Sequence, residues 1–143
     1  MLAEEFQKVY DIFKMNFYAS LCRNTKDLNM QEAFSLDIIY MLKEPTILEY
    51  ASYMGISQPN ATYKINQMIE KGYLTKVPSK EDKRASHLKV TQKFIDCYRE
   101  NDLYIAKTLN HIEKIFDPEE VALLEKMLIK IDDEMKKGEH TND

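Results

Sequence analysis

Only three glycines and four prolines punctuate this chain of 143 residues. That is too few turn-formers for an all-β fold, whose many connections depend on them. Cysteine is nearly as scarce. Cys22 and Cys97 stand far apart and match no CxxC or metal-ligand spacing, so both are expected to be buried free thiols. No apolar run approaches the ~20 residues that a membrane span needs. The N-terminal MLAEEFQKVY carries acids where a secretion signal would have its apolar centre. A soluble, cytoplasmic protein is expected. There is no Gly-rich phosphate loop, nucleophile elbow or His/carboxylate cluster, which speaks against an enzyme. His87, His111 and His140 are scattered without paired ligand spacing, so neither a metal nor another cofactor is expected.

What the chain does have is a core and an uneven distribution of charge. With 44% hydrophobic and 31% charged residues it can bury an interior, and its length suits one domain over residues 1–143. The net charge of −4 hides an asymmetry: residues 57–89 hold seven Lys or Arg against three acids, a net +4, which leaves −8 on the remainder. Local charge, more than the total, decides whether a polyanion can approach.

Taken in order, residues 2–22 place Leu2, Phe6, Val9, Phe13, Phe17 and Leu21 at three- and four-residue steps, which predicts an amphipathic helix with an aromatic face. Tyr10, Met15 and Tyr18 widen that face beyond the needs of one small domain, which points to a partner chain. A polar loop over 23–29 leads to a second helix, 31–43, whose buried side is expected to be Phe34, Ile38, Ile39, Met41 and Leu42, with Pro45 as its stop. Thr46 and Glu49 have capping-box spacing and start a short third helix that ends at Gly55.

Residues 56–72, ISQPNATYKINQMIEKG, give the fourth helix. Ser57 is its N-cap, Pro59 sits in the first turn, Ala61, Ile65 and Met68 form one apolar stripe, and Gly72 closes it. The opposite side is made of Gln58, Asn60, Thr62, Tyr63, Asn66 and Gln67, amides and hydroxyls where a solvated helix would mostly carry Glu and Lys. Two readings fit this side alone: a polar surface with no partner, or a face that reads base edges in a major groove. The preceding short helix and tight Gly turn make it the second member of a helix-turn-helix. Two short strands, 73–77 and 86–90, then flank the charged loop PSKEDKRA. Thr91 is read as the N-cap of a helix over 92–116. Asp117-Pro118-Glu119-Glu120 starts another, along which Val121, Leu124, Leu128, Ile131 and Met135 form a heptad-like seam.

With TILEYASYMGISQPNATYKINQMIEKGYL followed by EDKRASHLKVT, residues 46–91 resemble the MarR family of bacterial winged helix-turn-helix regulators. The resemblance rests on the helix-turn-helix, on an acid and an arginine one position apart in the wing (Asp82 and Arg84), and on the order of the flanking helices. It implies a mainly α fold with a small β-hairpin wing. The winged helix-turn-helix would be the DNA-binding lobe (31–91), with N- and C-terminal helices (1–25 and 92–137) forming a dimerisation region. The implied function is a homodimeric transcriptional regulator, by default a repressor. It would bind a palindromic double-stranded DNA operator, with helix 57–71 in successive major grooves and wing 78–86 at the minor groove. The family often has Gly where this chain has Phe94. Pro59 and Asn60 replace commoner small hydroxyl residues, which implies a different operator sequence.

The residues expected at DNA are Ser57, Gln58, Asn60, Thr62, Tyr63, Asn66, Lys76, Lys80, Asp82, Lys83 and Arg84, with Arg84 inserted into the groove and Asp82 fixing its guanidinium. Family members commonly bind small apolar or aromatic effectors between the dimer helices and the winged lobe. Here Phe13, Phe17, Tyr18, Tyr40 and Met41 are the candidates for such a cleft, against the reading that they are plain core. Two alternatives stay open: a winged-helix adaptor that binds protein and no operator, and a thiol-based redox sensor acting through Cys22.

Overall fold

The computed structural model describes residues 1–82 and 84–138. Among them run α1 (Leu2–Asn24), α2 (Met30–Met41), α3 (Ile47–Met54), α4 (Gln58–Glu70), β1 (Leu74–Pro78), β2 (Ser86–Val90), α5 (Gln92–Ile115) and α6 (Pro118–Gly138). The chain divides into two compact units, Met1–Asp102 and Leu103–Asp143, and α5 contributes to both. Within the first unit, β1 and β2 pair antiparallel from Leu74 opposite Val90 to Pro78 opposite Ser86.

Local chemistry sets the helix ends. Asn29 Oδ1 accepts the Glu32 N–H at 2.8 Å while Glu32 Oε2 accepts the Asn29 N–H at 3.0 Å, a reciprocal cap that starts α2 one residue before the sequence pattern suggests. At α3, Thr46 Oγ1 accepts the Glu49 N–H at 3.1 Å. The Glu49 carboxylate meets the Thr46 hydroxyl instead of the backbone, so half the expected capping box forms. Gly55 at φ +65° and Gly72 at φ +83° end α3 and α4 in the left-handed conformation that a side chain would disfavour. After each, the next N–H reaches five residues back, Ile56 to the Ala51 carbonyl and Tyr73 to the Met68 carbonyl, both at 3.1 Å.

The core of the first unit lies where α2, α3, α4, the hairpin and the start of α5 converge. Leu36, Ile39, Tyr50, Ala61, Ile65, Met68, Leu88 and Phe94 are fully buried there. Each large aliphatic among them contributes about 1.5–3 kcal/mol. Tyr50 Oη hydrogen-bonds Ser35 Oγ at 2.8 Å, joining α3 to α2 through two buried hydroxyls.

Two expectations need correcting. Of the residues assigned to the buried side of α2, Ile39 is buried and Ile38 and Leu42 are half-buried, but Phe34 and Met41 are exposed. The inward positions are instead Glu32, Ala33, Ser35, Leu36 and Ile39, with Ser35 meeting the Tyr50 hydroxyl of α3. Cys22 is exposed on the outer side of α1; only Cys97 is buried, its thiol 3.3 Å from the carbonyls of Asn24 and Lys93. The Thr91 hydroxyl donates to the Gly72 carbonyl at 2.6 Å, tying the end of α4 to the start of α5.

Two surfaces stand out as apolar and uncovered. On α1, Leu2, Phe6, Val9, Ile12 and Met15 are exposed. In the second unit no residue of α6 is buried, and Leu124, Leu128, Ile131 and Met135 of the seam are 38–68% exposed. Among the described residues no helix is long and apolar enough to cross a membrane, and no group of His, Cys, Asp or Glu could hold a metal ion.

Candidate nucleic-acid interface

The helix α4 is held by one side and offers the other. Ser57 Oγ accepts the Asn60 N–H at 3.3 Å, fixing the first turn, and Pro59 occupies a position whose N–H would have no helical partner. Ala61, Ile65 and Met68 are fully buried against the core. With successive residues turned by about 100°, Tyr63, Asn66 and Glu70 point furthest from that stripe, and Gln67 and Asn60 flank them. Gln58, Asn60, Tyr63 and Asn66 are exposed, Tyr63 to 64%. Glu70 puts a negative charge at the C-terminal end of this face, so a polyanion is accommodated by its N-terminal half.

The hydroxyls are not equivalent. Thr62 is half-buried and its Oγ1 donates to the Gln58 carbonyl at 2.9 Å, which leaves it only as an acceptor toward solvent. Ser57 uses a lone pair for the cap and keeps its proton free. Tyr63 accepts a hydrogen bond from Gln67 Nε2 at 3.1 Å and likewise keeps its proton.

The hairpin is anchored at its root and open at its tip. Leu74, Leu88 and Val90 are buried. On the outer side of β2, the Leu88 N–H bonds the Pro45 carbonyl at 2.8 Å and the His87 Nδ1–H bonds the Glu44 carbonyl at 2.8 Å, so the turn before α3 forms a short bridge to the wing. His87 is therefore half-buried at the wing root, not a free side chain opposite Leu88. The loop is organised by Ser79, whose N–H bonds the Ala85 carbonyl at 3.1 Å and whose Oγ accepts the N–H groups of Glu81 and Asp82.

Asp82 does not fix the Arg84 guanidinium in this structure. Its Oδ1 accepts the Arg84 backbone N–H at 2.9 Å, an Asx-type contact that shapes the turn. Among the described residues Arg84, Lys76 and Lys80 have no ion pair and are exposed. Lys83 lies outside the described residues. Two basic residues of this region are already engaged: Lys71 with Glu32 at 2.7 Å and Lys89 with Glu44 at 3.6 Å. Neither pairing was visible in sequence, where only the sum of charge could be counted.

A cavity of about 550 Å³ opens beside the wing root, walled by Ile39, Tyr40, Met41, Leu88, Val90 and Ile95, with Lys43, Glu44 and Lys89 also lining it. Of the five effector candidates it brings together Tyr40 and Met41. Phe17 and Tyr18 belong to an aromatic row, Phe17 5.7 Å from Tyr98 and Tyr18 edge-on to Phe34 at 5.9 Å. Phe13 is half-buried further along α1. Lys43 and Glu44, the turn at this cavity, both have positive φ (56° and 59°), a conformation that disfavours side chains and that the sequence does not announce.

Comparison with known proteins places these features. The MarR family model matches residues 28–86, the span from the start of α2 to the wing. A transcriptional regulator from Thermotoga maritima superposes with a TM-score of 0.66 at 16% identity, covering 99% of this chain and 98% of that one. FabT of Streptococcus pneumoniae, crystallised in complex with DNA, gives 0.60 at 20% identity over 96% of this chain and 99% of its own. A cysteine-to-serine mutant of MarR from E. coli, crystallised with operator DNA, gives 0.51 at 18% identity over 89% and 93%. At these identities the structural likeness establishes the fold. Together they give this chain a MarR-like winged helix-turn-helix fold, with residues 28–86 matching the MarR family model.

Proposed function

We propose that the protein is a cytoplasmic, homodimeric repressor that binds a palindromic operator, with α4 in the major groove and the wing at the adjacent minor groove. The observation that carries this reading is the exposed amide-and-hydroxyl side of α4, backed by the apolar stripe Ala61, Ile65 and Met68 that fixes its orientation. Asn60 and Asn66 can each pair bidentately with adenine, Gln58 can do the same from the flank, and Ser57 and Tyr63 supply hydroxyls. Thr62 serves as an acceptor. Lys76, Lys80, Lys83 and Arg84 supply the wing with positive charge for phosphate or a narrow minor groove, while Asp82 holds the turn that presents Arg84. The uncovered apolar faces of α1 and α6 support pairing of two chains, which would set the two reading helices about 34 Å apart.

The cavity beside the wing root supports effector control. Its apolar walls suit a small apolar or aromatic molecule, and its contacts with β2 would let an occupant move the wing. The exposed Cys22 is the observation that favours thiol control instead.

Arg84→Ala is the direct test. It should weaken operator binding about tenfold in a gel-shift titration and leave the dimer intact. Unchanged affinity would remove the wing from the mechanism. Asn66→Ala should lower affinity for operator more than for random duplex, and equal losses on both would contradict base reading. A protein-binding adaptor would shift neither DNA.

A further inference from the structure

We infer that Gln67 is a positioning residue for Tyr63, and that it commits the Tyr63 hydroxyl to donating its proton to an acceptor on the duplex. The inference rests on the reading of α4 as the DNA-facing helix and adds to it which side chain sets another's hydrogen-bond polarity.

The geometry is specific. Gln67 follows Tyr63 by one helical turn, and its Nε2–H₂ donates to Tyr63 Oη at 3.1 Å. A phenol has one proton and accepts in the ring plane. With Gln67 occupying an acceptor position, the proton is directed away from Gln67 toward solvent, where Tyr63 is 64% exposed at the outermost line of the helix. Gln67 is itself half-buried, and its amide holds the phenol. The two residues form one wall of a polar hollow of about 290 Å³, whose opposite wall is the first turn of α2 with Asn29 and Gln31.

The neighbouring hydroxyl shows the opposite arrangement: the Thr62 proton is spent on the Gln58 carbonyl. Along α4 the structure therefore assigns Tyr63 as a donor and Thr62 as an acceptor. The group that Tyr63 takes is an acceptor oxygen or nitrogen, either a non-bridging phosphate oxygen or a base-edge acceptor such as guanine N7 and O6 or thymine O4. Amide and phenol together restrict what this position can bind more than either would alone.

The test is a double-mutant cycle on the full chain with Tyr63→Phe, Gln67→Met and the pair. Binding is measured by fluorescence anisotropy on a duplex that the wild-type protein selects from a random-sequence pool, and on an unselected duplex of equal length. Tyr63→Phe should weaken binding to the selected duplex about tenfold, one good hydrogen bond to a charged or well-placed acceptor. Gln67→Met should weaken it three- to tenfold alone and less than twofold when Tyr63→Phe is already in place. Thermal melting of the three variants should match wild type, because both side chains lie outside the core.

If the acceptor is a phosphate, the Tyr63→Phe loss will be the same on both duplexes. If it is a base edge, the loss will vanish when one symmetrical base pair of each half-site is changed. Both outcomes support the proposal. Equal losses from Gln67→Met with and without the phenol hydroxyl, or no loss from Tyr63→Phe, would overturn it while leaving the DNA reading in place. A wild-type protein that selects no duplex and binds neither at low salt would overturn both.

Discussion

Asp37 offers a prediction that isolates one charge. It lies half-buried on α2, with no hydrogen bond or ion pair among the described residues, and desolvation raises its carboxyl from 3.8 to about 6. In the unfolded chain the same group would titrate near 3.9. The folded state therefore holds the proton more tightly. The resulting contribution to stability is complete below about pH 4, falls as pH rises, and is gone once pH passes about 6. The full difference corresponds to about 3 kcal/mol as an upper bound. Because the side chain keeps contact with water, screening reduces the effect to about 1 kcal/mol. Asp37→Asn removes the charge at nearly constant shape. At pH 7 and fixed protein concentration the variant should melt about 3 °C above wild type. At pH 4 the two should coincide. The assay is thermal unfolding followed by circular dichroism across pH 4–7. Parallel curves over that range, or a less stable variant at pH 7, would refute the claim that an unpartnered carboxylate is being desolvated.

Other perturbations test the packing. Tyr50→Phe and Ser35→Ala each strand one buried hydroxyl and should destabilise by about 1–2 kcal/mol, while the double variant should cost less than the sum by about 1 kcal/mol. Strict additivity in urea unfolding would deny the contact. The Tyr98 hydroxyl is buried with no partner among the described residues, so Tyr98→Phe should be neutral or stabilising by up to about 1 kcal/mol; a marked loss would reveal a partner. Leu128→Glu places a charge in the exposed seam of α6 and should leave the protein monomeric by sedimentation at micromolar concentration, against a wild-type dimer. A variant that remains dimeric would move the interface elsewhere.

Much of this molecule was legible where a single local rule decides. Ser57, Pro59, the Ala61–Ile65–Met68 stripe and Gly72 gave α4 its start, its register and its end, and the structure agrees at each of them. The two strands of the hairpin were legible too, and the structure pairs them over Leu74–Pro78 and Ser86–Val90. What failed depended on tertiary fit. Phe34 and Met41 look like core, but α2 is apolar around much of its circumference, so its own sequence does not say which side the core takes. Lys71 and Lys89 count as free positive charge until Glu32 and Glu44 are found beside them. The cavity beside the wing root joins Tyr40 and Met41 to residues of β2 and the start of α5, and periodicity along one helix says nothing about such a neighbour. The Asp82 contact is local, yet a two-residue spacing does not distinguish a carboxylate that meets backbone from one that meets a guanidinium.

Operator recognition requires α4 and the wing to meet a duplex as a pair. Its most direct test is the salt dependence of binding to a selected palindromic duplex, measured by anisotropy together with the stoichiometry. Lys64, Lys76, Lys80 and Arg84 on each of two chains have no ion pair among the described residues, which allows up to about eight phosphate contacts. The logarithm of the binding constant should then fall linearly with the logarithm of salt concentration, with a slope between about −4 and −7 and two chains per duplex. A slope near zero, one chain per duplex, or no binding at low ionic strength would contradict it.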